Sequence, residues 1–129
     1  MPRQTPPAVA RSPPAETLPP LNRVLFKQGG EAVYARVTIS QGQPGKTDEV
    51  IRIYRDSVVP AGKQQKGFKG LYLLTDRKTG KGITIGLWET EADMTASETS
   101  GYYQQQVAKF KDLVGAPPAR EGYEVSIAP

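Results

Sequence analysis

The sequence predicts an α+β domain of ferredoxin-like order, β-α-β-β-α-β, with its four strands in one antiparallel sheet. Three observations predict it. Two stretches alternate apolar and polar residues with the period of a half-buried strand, "AVYARVTISQ" from Ala32 and "GYEVSIA" from Gly122. Between them "KGLYLLTD" and "ITIGLWE" flank the turn "RKTGKG" as a hairpin. On either side of the hairpin, apolar residues recur at helical spacing.

The first strand alternates Val33, Ala35, Val37 and Ile39 with Tyr34, Arg36, Thr38 and Ser40, and "GQPG" at Gly42 supplies the turn that follows. "KTDEVIRIYRDSVVP" then places Val50, Ile53, Tyr54 and Val58 near one helical face, with Asp48 and Glu49 at the positive end of the dipole and Pro60 as the expected stop. The hairpin loop is four or five residues long, with Gly80 available for a positive φ. Its register stays open: either Leu71 and Leu73 or Tyr72 and Leu74 share a face with Ile83, Ile85 and Leu87. "TEAD" at Thr90 reads as a capping box. The helix it starts would bury Met94, Tyr103, Val107, Phe110 and Val114, weaken at Gly101 and stop at "GAPP" from Gly115. In the last strand Tyr123, Val125 and Ile127 alternate with Glu124 and Ser126.

Such a fold lays both helices on one face of the sheet, yet both faces of this hairpin are largely apolar. A homodimer that packs sheet against sheet covers the second face.

At 129 residues the chain fits one folded domain, assigned to residues 31–129, after a Pro-rich, disordered or extended arm at residues 1–30. Seven of the twelve prolines lie in "MPRQTPPAVARSPPAETLPP", and "LNRVLFKQGG" at Leu21 adds a short strand or lies over a domain edge. The chain has no His and no Cys, which excludes imidazole bases, thiolate nucleophiles, disulfides and zinc sites built on N and S. Of the net charge of +4, the arm holds four basic residues and one acid, so the domain is nearly neutral and nucleic acid is not an expected partner. No stretch has the length of a membrane span and the N-terminus lacks a signal's apolar region, so the expected compartment is the cytoplasm. Glu89, Glu91, Asp93 and Glu98 have the chemistry to hold a hard cation, but helix-start electrostatics explains them more simply, and no metal site is expected.

"VVPAGKQQKGFKGLYLLTDRKTGKGITIGLWETEADMTAS" resembles the antibiotic biosynthesis monooxygenase family of the dimeric α+β barrel superfamily. The likeness runs from Ala32 to Ile127, with Gly67-Phe68, Gly80 to Gly82 and "LWETE" as its best marks. The resemblance implies a cofactor-independent monooxygenase acting on a small aromatic or polyketide-like compound, with no cofactor, because an electron-rich phenolate or enolate can itself pass an electron to oxygen. In quinone-forming members the strand Trp is joined by an Asn, a Tyr and an Arg. Here Trp88 matches, Thr84 and Met94 replace the Asn and the Tyr, and Gln106, Ala108 and Lys109 surround the Arg position. The haem-degrading branch relies on a His, which this chain lacks.

Trp88 and Thr84 are therefore the expected catalytic residues, and Gly86, Met94, Tyr103, Tyr72 and Arg36 the expected substrate-binding ones. Gly86 beside a large ring leaves room for a ligand, although Trp88 also reads as a core plug. Arg36 in mid-strand either lies at a rim in water or is buried and needs an acid partner or an anionic ligand. A non-catalytic dimeric binding or stress-related module of the same fold is the alternative function.

Overall fold

The computed structural model describes residues 33–129; the expected arm at 1–30 lies outside them. Four strands, β1 (Tyr34–Gln41), β2 (Phe68–Thr75), β3 (Lys81–Trp88) and β4 (Ala119–Glu124), form one sheet in the order β2-β3-β1-β4. Every pairing is antiparallel, so the predicted ferredoxin-like split is found. The last strand begins earlier than its alternation suggests and ends at Glu124, leaving Ile127 exposed beyond it.

The register settles which residues face the helices. Arg36 pairs with Gly86 and Gly86 with Leu71, while Thr38 pairs with Thr84 and Thr84 with Leu73. Leu71 and Leu73 therefore share the helix-covered face with Thr84, Gly86 and Trp88. Tyr72 and Leu74 join Ile83, Ile85 and Leu87 on the other face. A bulge between Phe68 and Gly70 inserts one residue into β2, which returns Phe68 to the same face as Leu71. The hairpin closes through Asp76 N–H to Lys81 O (2.9 Å), with Gly80 at φ 82°.

The connection from β1 to β2 is helical from Thr47 to Gly62: α1 (Thr47–Ile53), a π-helical segment (Tyr54–Val58) and α2 (Val59–Gly62). Pro60 was expected to end this helix and does not. Lacking an N–H, it cannot make the α-type bond to the Asp56 carbonyl, and the ladder widens just before it, with Val59 N–H donating to Tyr54 O. The second connection begins where Thr90 Oγ1 accepts from Asp93 N–H at 3.0 Å. The Asp93 carboxylate does not close the box from its own side in the predicted way but lies over Gly67. This helix is divided into α3 (Glu91–Thr99) and α4 (Tyr102–Ala108) by Gly101 at φ 92°, a conformation that favours glycine.

Two apolar clusters form on opposite faces of the sheet. Val58, Phe110 and Leu113, with Val50, Ile53, Tyr54 and Leu71, join the helical layer to the sheet. Val33, Ala35 and Leu87, with Ile85 and Val125, lie on the outer face, where Tyr72, Leu74 and Tyr123 remain exposed. Among the described residues no helix is long and apolar enough to cross a membrane, and no group of three or more acids is placed to hold a metal ion.

Candidate functional site

Between the helical layer and the sheet lies a cavity of about 100 Å³. A single water needs roughly 10–15 Å³ on the same kind of measure, so the space suits a small molecule. Its floor is the inner row of the sheet, including Arg36, Thr38, Thr84, Gly86, Leu71 and Leu73. Its roof comes from Val50, Tyr54 and Val58 on the first helical connection and Tyr102, Tyr103, Gln106 and Val107 on α4. Trp88, Gly86 and Arg36 are buried at one end, whereas Gln43, Thr75 and Lys81 are exposed at the other and form a rim.

Trp88 dominates the buried end. It is 1% exposed, with Phe68 edge-on to its ring at a centroid distance of 5.7 Å. It is thus both the core plug and a cavity wall. Its Nε1 is buried without a hydrogen-bond partner among the described residues, and sits 3.6 Å from the point a Cβ on residue 86 would occupy. An orphaned buried donor costs about 1–3 kcal/mol. That cost is removed when an acceptor occupies the space over Gly86.

Arg36 is buried, the second of its two expected settings. Its guanidinium lies 5.3 Å from the Trp88 ring centroid and 4.5 Å from that of Tyr103. Nη1 donates to Ser97 Oγ (2.7 Å) and to Glu98 Oε2 (3.4 Å) on α3, while Ser97 Oγ–H passes on to the Met94 carbonyl. Glu98 is also 3.9 Å from Arg120 of β4, whose guanidinium stacks on Tyr103. Burial lowers the Arg36 pKa, and the bond and charge of Glu98 act against that shift.

Farther along the cavity the Tyr54 hydroxyl and Thr84 Oγ1 are 2.7 Å apart, and Thr38 Oγ1 and the Tyr103 hydroxyl 3.3 Å apart. Burial pushes the Tyr54 and Tyr102 phenols above their ordinary value, so both stay protonated at neutral pH. No carboxylate is among the described lining residues.

Of the residues expected from the sequence, Trp88, Thr84, Gly86, Arg36 and Tyr103 meet at this cavity. Met94 and Tyr72 do not. Met94 is buried against β4, its Cε 2.8 Å from where a Cβ on Gly122 would stand, so it fills the gap left by that glycine. Tyr72 projects from the outer face because the bulged register gives the inner face to Leu71 and Leu73. Tyr54, Glu98 and Arg120 were not among the expected site residues. Tyr54 had a legible signal, its place on the apolar face of the first helix, whereas the ties of Glu98 and Arg120 to Arg36 and Tyr103 need the fold.

The family model for antibiotic biosynthesis monooxygenases matches residues 32–109. The uncharacterized protein Rv2557 of Mycobacterium tuberculosis is 37% identical over 101 residues, a match covering 75% of this chain and 42% of that protein. Rv2558 of the same organism is 43% identical over 68 residues, 53% of this chain and 29% of its own length. The matched region is thus less than half of these relatives. Among solved structures, the NE2512 protein of unknown function from Nitrosomonas europaea superposes with a TM-score of 0.63 at 17% identity, covering 78% of this chain and 96% of its own. The haem degrader MhuD of M. tuberculosis, solved with two haems in its active site, gives a TM-score of 0.59 at 14% identity, covering 74% and 97%. At such identities these structural likenesses concern the fold alone.

Proposed function

Because the chain belongs to the antibiotic biosynthesis monooxygenase family, we propose that it is a monooxygenase-like protein that holds a small aromatic or polyketide-like compound in the cavity beneath its helices and exposes it to dioxygen. The observation that carries this reading is the buried Trp88 N–H, without a partner among the described residues, at the end of an apolar slot. A ligand oxygen over Gly86 accepts that hydrogen bond and lies beside the Arg36 cation. Leu71, Leu73, Val107 and Phe110 hold the ring and exclude water.

An electron-rich phenol and one dioxygen give a quinone and one water, so the substrate supplies all four electrons and no separate reductant enters the balance. The chain's own contribution is to bind, orient and keep the site dry. Thr84, held by Tyr54, positions the substrate along the strand through its hydroxyl.

Oxygen consumption across a panel of hydroquinones and naphthols tests the reaction, with Trp88→Phe as the comparison. Uptake above buffer that falls at least tenfold in the variant supports turnover. Absence of uptake by a protein that demonstrably binds the panel rejects it and leaves the binding-module reading. That second reading has its own support: no described lining residue is a carboxylate that would take a proton from a substrate.

A homodimer is part of the same proposal. Tyr72 and Leu74 are 39% and 49% exposed on an outer face that also carries Ile83 and Ile85. A second copy packed sheet to sheet would cover them. Light scattering tests this: Leu74→Asp is expected to halve the mass with the circular dichroism unchanged, and a wild-type monomer at micromolar concentration refutes it.

A further inference from the structure

We infer that the cavity takes a head-and-tail ligand, in which an oxygen-bearing ring at the buried end carries an unbranched aliphatic chain that runs along β3 to the rim. This rests on the reading that the cavity holds a small aromatic compound, and adds a second part to that compound.

Two glycines of β3 carry the inference. The inner row of the strand reads Gly82, Thr84, Gly86 and Trp88 from the rim to the buried end. Glycine inside a strand costs stability relative to Ala, so its presence needs a reason. At Gly67 and Gly80 the backbone supplies one, with φ at 82° in both. Gly82 and Gly86 are not among the glycines with positive φ, and an added Cβ at either would meet nothing beyond its chain neighbours nearer than 3.6 Å. Neither conformation nor packing requires them. Their missing side chains leave a trough along the strand, the kind of bare strand that a ligand approaches closely.

The trough is longer than a ring. From Gly82 to Trp88 the strand spans about 20 Å at roughly 3.3 Å per residue. A ring whose oxygen accepts from Trp88 Nε1 over Gly86 ends near Thr84, and the same cavity continues past it to the rim. Tyr54 bonds Thr84 and Gly62 faces Phe68, so the helical connection runs from rim to buried end and sets Val50, one turn before Tyr54, over Gly82. With Leu73 on the sheet and Val114 beside Gly42, Val50 makes this outer half apolar, and only the small side chains of Ser40 and Thr75 border it with hydroxyls. Methylenes fill such space more favourably than water does.

The occupant must also bend. Strands twist, and the bulge between Phe68 and Gly70 adds to the twist of β2, so the trough turns along its length. An unbranched chain follows that turn, whereas a flat, rigid polycycle of the same length does not. The chain ends in water beside Lys81 and Gln43.

Calorimetric titration with the methyl, butyl and octyl esters of para-hydroxybenzoic acid tests the inference, with the tert-butyl ester as the branched isomer of the butyl. Affinity is expected to rise about threefold to fourfold for each methylene until the chain passes Lys81. The tert-butyl ester is expected to bind more weakly than the butyl by roughly tenfold. Gly82→Leu fills the trough near the rim and is expected to lower the octyl-to-methyl affinity ratio by roughly tenfold or more. Should that variant fail to fold, Thr75→Phe, at an exposed position in the same row of β2, obstructs the same space. Equal affinity of the methyl and butyl esters, equal affinity of the butyl and tert-butyl esters, or an unchanged octyl-to-methyl ratio in the folded variant overturns this inference alone. Binding of no ester by the folded wild-type protein overturns it together with the reading beneath it.

Discussion

Trp88 Nε1 stands 3.6 Å from the place a side chain on Gly86 would begin, so the indole donor overlooks a stretch of strand that has none. At that distance an added methyl makes ordinary contact and meets no clash. Gly86→Ala should therefore fold with a stability within about 1 kcal/mol of wild type, by urea denaturation. The same methyl occupies ligand space and is expected to weaken binding of a hydroxynaphthoquinone by roughly 10-fold or more. Unchanged affinity would place the ligand elsewhere.

The Tyr54 hydroxyl and Thr84 Oγ1 form a pair only 2.7 Å apart, and removing one partner strands the other. Tyr54→Phe is expected to cost about 0.5–1.5 kcal/mol, and Thr84→Val a similar amount. The double variant should lose measurably less than the sum of the two. Additivity in chemical denaturation would mean that the bond contributes nothing.

Stability should fall in alkaline solution for a reason traceable to two tyrosines. Burial raises the folded-state pKa of Tyr54 and Tyr102 above the ordinary 10.0. As pH rises through 10 the unfolded chain gives up these protons first, so it binds fewer protons than the native state, and the free energy of unfolding declines. The contribution is complete below pH 10 and is lost above it. Urea midpoints measured between pH 8 and 11 should show the decline, and Tyr54→Phe should make it shallower.

Gly80 is the most restrictive position in the hairpin. Its φ is 82°, and a Cβ there would stand 3.0 Å from the Gln43 carbonyl carbon and 2.9 Å from that of Gly42. Left-handed strain alone costs about 1–2 kcal/mol for other residues. Gly80→Ala should lower the melting temperature by at least about 4 °C for a domain of this size. A melting temperature equal to wild type would show that the turn relaxes freely.

The turn at Gly80, the cap at Thr90 and the break at Gly101 were legible because each depends on backbone chemistry within a few residues. The succession of strands and helices along the chain followed from periodicity in the same local way. The hairpin register was not legible: both phases of "LYLL" are apolar, and the bulge before Gly70 that chooses between them leaves no mark in composition. That choice is why Tyr72 looked eligible for the site and stands outside it. Pro60 misled in the opposite sense, since its usual effect on an α-helix was absorbed by a change of helix type. The fate of Arg36 depended on Ser97 and Glu98, far along the chain, and on β4 bringing Arg120 to the same ring. Local pattern identified the charge but not its company.

The π-helical segment also sets the rotational phase of the cavity roof. In a pure α-helix, positions four apart drift by roughly 40° per step, so Val50, Tyr54, Val58 and Gly62 would fan progressively away from the sheet. The wider turn at Tyr54–Val58 drifts the other way and keeps that row over the strands, where Val50, Tyr54 and Val58 line the slot and Gly62 meets Phe68. Winding these same residues as a pure α-helix would instead turn everything before them away from the sheet. The phenol would turn off its threonine, and the chamber would lose its ceiling while every strand stayed in place.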